Sequence, residues 1–288
     1  MNTKPRIAAV NTFTEIGEGC DEKNLNYAFR AMEEASSQGA DIICFPETFP
    51  GALKMPVRFD PFDAMSAKAR EIGRYVVYGA CVNVPDAPEK QYVRNVLLGP
   101  DGKEIGHYDR TCPAGPGSWL YQGGNYWNVN WQQGDCLPVF HTDIGVIGML
   151  VCSEVFLPEL SRALAVQGAE IVFLPAGVNK MALKRNWRCL IQARAIENLM
   201  ITVTCNNICD LPKLDDPAGA LSMIVSPEGD IVESEVEGII YADADLDRVR
   251  WLREADDSWT VTNTLPIRRS KTGIFKNWRR PELWHDLI

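Results

Sequence analysis

The stretch Gly145–Ala176, "GVIGMLVCSEVFLPELSRALAVQGAEIVFLPA", decides how the chain is read. Up to Val151 it is an apolar run, which predicts a buried strand. With no turn residue between, it then reaches Cys152, Ser153 and Glu154. Pro158 opens a helix that closes near Gly168, and "EIVFLPA" is a second apolar strand. In an α/β protein chemistry usually sits at a strand end. Cys152 is therefore either a nucleophile or a small hydrophobe filling the core.

The same alternation extends in both directions. Arg6–Asn11 reads as a strand, and Asp21 as the cap of a helix over Glu22–Ser37 that ends at Gly39. "DIICFPE" is a short strand with Glu47 just beyond it. A helix near Phe62–Arg74 precedes the strands "YVVYGACV" and "YVRNVLLG", and "PDGKEIGHYDR" is a turn leading into a strand. Thr111–Asp135 is a long aperiodic loop rich in Gly, Pro, Trp and Tyr, and such loops inside compact domains are usually functional. A helix near Leu183–Leu199, the strand "MITVTCNN", a hairpin turning at Pro227–Gly229 and the closing strand "GIIYADADL" follow. No repeat or low-complexity linker divides the chain. This order predicts a single layered α/β domain over residues 1–265 and a tail, 266–288, that packs on the body or on a partner subunit.

With 46% hydrophobic residues in 288, the chain can bury a large core. A net charge of -9 without basic runs argues against nucleic acid as a partner. No apolar run reaches the roughly 20 residues of a membrane helix, so no membrane partner is expected. "MNTKPRIAAVNTF" carries no signal-peptide pattern. Nine scattered cysteines, several of them in apolar runs, suit reduced thiols in a cytoplasm. With three histidines and no Cys-x-x-Cys pair, neither a metal nor another cofactor is expected.

Glu47 follows an apolar strand, where lost hydration raises a carboxylate's pKa and suits a general base. A solvated loop residue, or one held by backbone N–H groups, is the alternative. Glu47 precedes Cys152 by 105 positions (152 minus 47). If both strands are central and parallel, the two side chains emerge at the same sheet edge. A backbone N–H just past Cys152, near a helix start, suits a developing oxyanion.

At this point the chain resembles the nitrilase superfamily, the carbon–nitrogen hydrolases. The resemblance covers roughly Pro5 to Leu265 and rests on ordered pieces. "DIICFPETFPG" resembles the segment of the catalytic Glu, "DGKEIGHYDRT" that of the catalytic Lys, and Gly145–Ala176 that of the nucleophile Cys. "LIQARAIENLMITVTCNN" and "SMIVSPEGDIVES" resemble the later framework. The resemblance implies a four-layer αββα sandwich that dimerises or assembles further. It implies a small-molecule amide, N-carbamoyl or nitrile substrate, attacked by Cys152 to give a thioester, with Glu47 as base and the Ser153 N–H as an oxyanion donor.

Four positions depart from the family pattern. "YDRTC" puts Arg110 where the family has its Lys. A guanidinium stays charged and forks to two partners but cannot lend a proton. A second family Glu stands about seven residues before a Gly; counting back from Gly134 gives Trp127, and "NYWNVNWQQG" has no carboxylate. Glu154 is a candidate stand-in, or a residue that supports the site from behind. The family's "C-Y-D-x-R-F-P-E" and "C-W-E" patterns read "CSEVFLPE" here, with Ser153 after the nucleophile and Phe156 in place of an Arg that binds substrate carboxylates. Trp127, Phe156 and Ala176 are expected to line the substrate pocket. Trp119, Tyr121, Tyr126 and Trp131 either line it too or pack the loop down. Arg194 and Glu197, at i and i+3, read as framework, and Lys180 and Lys184 as surface residues. Nitrile hydrolysis, acyl transfer and a catalytically impaired ligand-binding relative are the competing functions.

Overall fold

The structure, a computed structural model, describes residues 2–15, 19–52, 57–113, 121–122, 125–126, 130–177, 181–208 and 221–254. The C-terminal tail expected at 266–288 lies outside them.

Its first half builds one sheet from β1 (Arg6–Phe13), β2 (Ile42–Cys44), β3 (Tyr75–Val84), β4 (Ala87–Leu98) and β5 (Glu104–Asp109), with α1 (Cys20–Ser37) and α2 (Phe62–Ile72) between them. The loop after β5 carries three two-residue strands, β6 (Tyr121–Gln122), β7 (Asn125–Tyr126) and β8 (Asn130–Trp131). A second sheet is built from β9 (Val139–Thr142), β10 (Gly145–Met149), β11 (Ile171–Phe173) and β12 (Ile201–Thr204), with α3 (Pro158–Val166) and α4 (Met181–Asn198) interleaved. After the short β13 (Asn207–Ile208), the hairpin β14 (Ser222–Val225) and β15 (Ile231–Ser234) extends that sheet. The strand β16 (Gly238–Asp243) returns to pair antiparallel with β1, and α5 (Leu246–Glu254) follows it.

Each sheet has a parallel trio at its centre: β1, β2 and β3 in one, β10, β11 and β12 in the other. Antiparallel strands flank both trios. Side-chain alternation sorts each strand between two faces. Ile7, Ala9, Ile42, Cys44 and Val77 point inward and meet Ile147, Met149, Ile171, Phe173 and Val203 of the other sheet. Ala8, Val10, Ile43 and Val76 point outward onto Ala28, Met32 and Ala35 of α1 and Met65 and Ala69 of α2. The second sheet is covered in turn by Leu164 and Ala165 of α3 and by Trp187, Ile191 and Ala195 of α4. The result is a four-layer αββα sandwich, as the family resemblance implies.

Three local expectations change. Gly19, at φ 67°, caps α1, while Asp21 lies inside the first turn, where its charge favours the helix N-terminus. Beyond the closing strand, where no element is expected from the sequence, the chain forms the helix α5. Arg250 pairs with buried Glu170, and Arg253 donates to the carbonyls of Leu199 and Ala169. These contacts add to the buried stripe of Leu246, Val249 and Leu252. Finally, β2 and β10 belong to different sheets, so Glu47 and Cys152 approach across the sandwich instead of from one sheet edge.

Candidate active site

The site forms where four strand ends meet. Beyond β2 the chain turns through Pro46 to Glu47, and Thr48 sits at φ 51°. This turn lies directly on β3, because Gly79 has no side chain. A Cβ there would come within 2.3 Å of the Thr48 nitrogen. The Gly79 N–H donates to Phe49 O at 3.1 Å, and Asn207 Nδ2 donates to Glu47 O at 2.9 Å. The Glu47 carboxylate projects from this braced backbone. Its Oε1 accepts from Arg110 Nη1 at 3.0 Å and its Oε2 from the Gly177 N–H at 3.0 Å.

Arg110 follows β5 and is 3% exposed. Its own backbone is clamped, with the Gly134 N–H donating to Arg110 O at 3.0 Å. A Cβ on Gly134 would lie 2.1 Å from Asp109 O, so the close approach depends on glycine. The guanidinium spreads over three segments. Nη1 reaches Glu47, Nη2 donates to Ser153 Oγ, and Nε donates to Cys112 O at 3.2 Å. Burial opposes its charge, but Glu47, Cys152 and Glu154 outweigh that and hold its pKa above the ordinary value.

Cys152 stands at φ 48°, in the left-handed region that a non-glycine residue enters at a cost. Its N–H donates to Pro175 O at 2.8 Å, which fixes the bend. Residues 152–156 form a single 3₁₀ turn leading into α3. Burial pushes the thiol up to about 12, and the charge of Glu47 and a hydrogen bond to it act in the same direction; Arg110 and the Gly177 N–H pull it down. Together these influences favour the neutral form of the thiol, which faces the Glu47 side chain. Among the described residues nothing accepts the Ser153 N–H.

Glu154 is wholly buried. Its Oε1 accepts from Tyr108 Oη at 2.8 Å, Thr111 Oγ1 at 3.1 Å and the Cys112 N–H at 2.9 Å, and its Oε2 from the Val151 N–H at 2.7 Å. It fastens the segment that carries Arg110 to the strand that aims Cys152. Burial raises its pKa, and these donors with Arg110 draw it back.

The sequence-predicted residues Glu47, Arg110, Cys152 and Ser153 therefore come together, and Glu154 lies behind them. Ala176 is buried beside them, one residue before Gly177, with its N–H on Cys205 O. Phe156 is 42% exposed at the end of the turn. Trp127, Trp119 and Lys180 lie outside the described residues. Trp131 packs against the inter-sheet core and against Cys20 and Cys81. Arg194 pairs with Glu197 at 2.8 Å and also donates twice to Val155 O, bracing the Cys152–Phe156 turn from α4. Sequence reading missed Gly177 and Asn207. Both follow apolar strands, "IVFLPAG" and "ITVTCNN", and the strand-end rule used for Cys152 points to them equally.

Two mixed sheets between helix layers are the architecture of the carbon–nitrogen hydrolases. The chain belongs to that family: its model, Carbon-nitrogen hydrolase, matches residues 6–254, and the protein is an enzyme of that class. Among its relatives, the omega-amidase NIT2 of Xenopus tropicalis is 27% identical over 86% of this chain and 89% of its own length. The N-carbamoylputrescine amidase of Arabidopsis thaliana is 28% identical over 92% and 90%. A variant of the amidase from Nesterenkonia sp. AN1 was solved with covalent addition of the acetamide moiety of fluoroacetamide at the active-site cysteine. It is 25% identical, with a TM-score of 0.71, over 85% of this chain and 92% of that one.

Proposed function

We propose that the protein hydrolyses the C–N bond of a small amide or N-carbamoyl compound through a thioester on Cys152. The carrying observation is the convergence of the Glu47 carboxylate, the Arg110 guanidinium and the Cys152–Ser153 turn from separate strand ends. The names of the relatives, an omega-amidase and an N-carbamoylputrescine amidase, support an amide or carbamoyl group over a nitrile.

The chemistry follows from this arrangement. As the sulfur attacks the carbonyl carbon, its proton passes to Glu47, and the carbonyl π pair moves onto oxygen. Arg110 and the Ser153 N–H stabilise that oxyanion. When it collapses, the C–N bond breaks and the leaving nitrogen takes the proton from Glu47. Water then attacks the thioester, Glu47 accepts its proton, and the C–S bond breaks with the proton returned to sulfur. An arginine holds charge but delivers no proton, so every transfer runs through Glu47. No metal is assigned to any step.

Residues 1–265 form the hydrolase domain in this reading, and the enzyme works as a homo-oligomer. It belongs in a reducing, cytoplasmic setting, in keeping with eight free cysteines among the described residues. No helix among the described residues is long and apolar enough to cross a membrane. The test is ammonia release and intact-mass spectrometry over a panel of small amides, carbamoyl amines and nitriles. A Cys152-dependent acyl adduct and turnover are expected. Turnover that survives Cys152→Ala, or none on any amide or carbamoyl compound, overturns the proposal.

A further inference from the structure

Two departures from the family pattern, Arg110 for a Lys and Ser153 for an aromatic residue, are hydrogen-bonded to each other. We propose that Ser153 is a positioning residue whose hydroxyl lets an arginine serve as the cation of this site. The inference rests on the proposed thiol mechanism and concerns how that mechanism is held in place.

A lysine places a compact charge that three rotatable N–H bonds adjust. A guanidinium is a flat fork whose usefulness depends on the plane in which it lies. Here each nitrogen has its own anchor: Glu47 for Nη1, Cys112 O for Nε, and Ser153 Oγ for Nη2. Two anchors, on Nε and Nη1, leave the fork free to tilt about the line that joins them, and the Ser153 hydroxyl on Nη2 is the third point that fixes the plane. Ser153 immediately follows the nucleophile in a turn held by Pro175 O and Glu154. The guanidinium is thereby indexed to Cys152 itself. The small side chain matters as much as the hydroxyl. Arg110 is 3% exposed and its Nη2 lies on Ser153 Oγ, so an aromatic side chain at position 153 must displace Nη2 or turn away from it.

The pairing is tested without knowing the substrate, by alkylating the protein with iodoacetamide between pH 7 and 10. The rate at Cys152 is followed by peptide-resolved mass spectrometry for wild type, Ser153→Ala, Arg110→Lys and the double variant. Arg110 draws the thiol toward ionisation. Ser153→Ala should therefore slow Cys152 alkylation about tenfold, the worth of one hydrogen bond to a charged group. In the Arg110→Lys background the same change should alter the rate less than twofold. Ser153→Tyr should cost more than Ser153→Ala with Arg110 present, and part of that loss should return on adding Arg110→Lys. Equal effects of Ser153→Ala in both backgrounds, or none in either, would overturn the pairing. Alkylation of Cys136, an exposed thiol, should stay constant throughout and separates a local effect from unfolding. Failure of the hydrolase reading shows instead as turnover that survives Cys152→Ala.

Discussion

Glu47 and Glu154 flank the same arginine, yet they are held in opposite ways. A carboxylate offers about four lone-pair positions. Glu154 is wholly buried and has four donors on it, from Tyr108, Thr111, Cys112 and Val151. Glu47 has two, Arg110 Nη1 and the Gly177 N–H, and it faces the thiol. Proton traffic needs an unfilled position, so the proposed mechanism assigns the proton transfers to Glu47 and a bracing role to Glu154. On the proposed mechanism, Glu154 does not stand in for the acid missing from "NYWNVNWQQG". Its neighbourhood is that of a brace.

The largest effect expected from this contrast is at Glu47. Glu47→Gln keeps the shape and removes the base, and hydrolysis should fall about 10²–10⁴-fold. Alkylation should move the other way. The charge of Glu47 and its hydrogen bond both raise the Cys152 pKa, so their loss lowers it and enlarges the thiolate fraction at every pH below about 12. Iodoacetamide should thus modify Cys152 faster in the variant than in wild type at pH 8, while turnover collapses. If both rates fall together, Glu47 serves chiefly to hold the site's shape, and the contrast with Glu154 fails.

The fold was legible because its signals are local and repeated. The run "GVIGMLV", the helix opened by Pro158 and the run "EIVF" each contain their own start and stop. Glu47, Arg110 and Cys152 were legible because the strand-end rule and the family order coincide on them. What stayed hidden depends on contacts between distant segments. Nothing near Asn207 announces that its amide holds Glu47 O, 160 positions away. Nothing near Gly79 announces that Thr48 will lie against it. The assignment of β2 and β10 to different sheets follows from pairing, which strand composition does not encode. The role of Glu154 was ambiguous for the same reason. Three of its four donors come from the segment Tyr108–Cys112, at least 42 residues away.

Expected effects at the backbone supports are smaller and fall mainly on stability. Gly79→Ala drives a methyl group against the Thr48 nitrogen, and the turn that presents Glu47 must lift. Overpacking of this kind costs about 1–3 kcal/mol. A lowered midpoint in denaturant and a loss of turnover greater than any change in substrate binding are expected. Glu154→Gln leaves a carbonyl for Tyr108, Thr111 and Cys112 but turns an NH₂ toward the Val151 N–H, leaving that donor without an acceptor. The cost of about 1–3 kcal/mol should appear in chemical denaturation. Hydrolysis should fall far less than in Glu47→Gln. A loss of turnover equal to that of Glu47→Gln would make Glu154 part of the proton path and break the distinction between the two carboxylates.

The smallest expected effect sharpens the comparison most. Thr111→Val is nearly isosteric and removes one of the four donors on Glu154, together with the contact between Thr111 Oγ1 and Tyr108 Oη. The carboxylate keeps Tyr108, the Cys112 N–H and the Val151 N–H, so its charge remains compensated. The loss should be about 1 kcal/mol, read as a shift of the denaturant midpoint with its slope unchanged. Arg110 is anchored through its own three contacts and not through Thr111. Turnover and the pH profile of Cys152 alkylation should therefore stay within about twofold of wild type. A brace built from four donors tolerates the loss of one, whereas the proposed mechanism gives the base no substitute. If Thr111→Val shifts the alkylation profile of Cys152 as far as Glu47→Gln does, Glu154 is tuning the thiol directly, and the two carboxylates share one role.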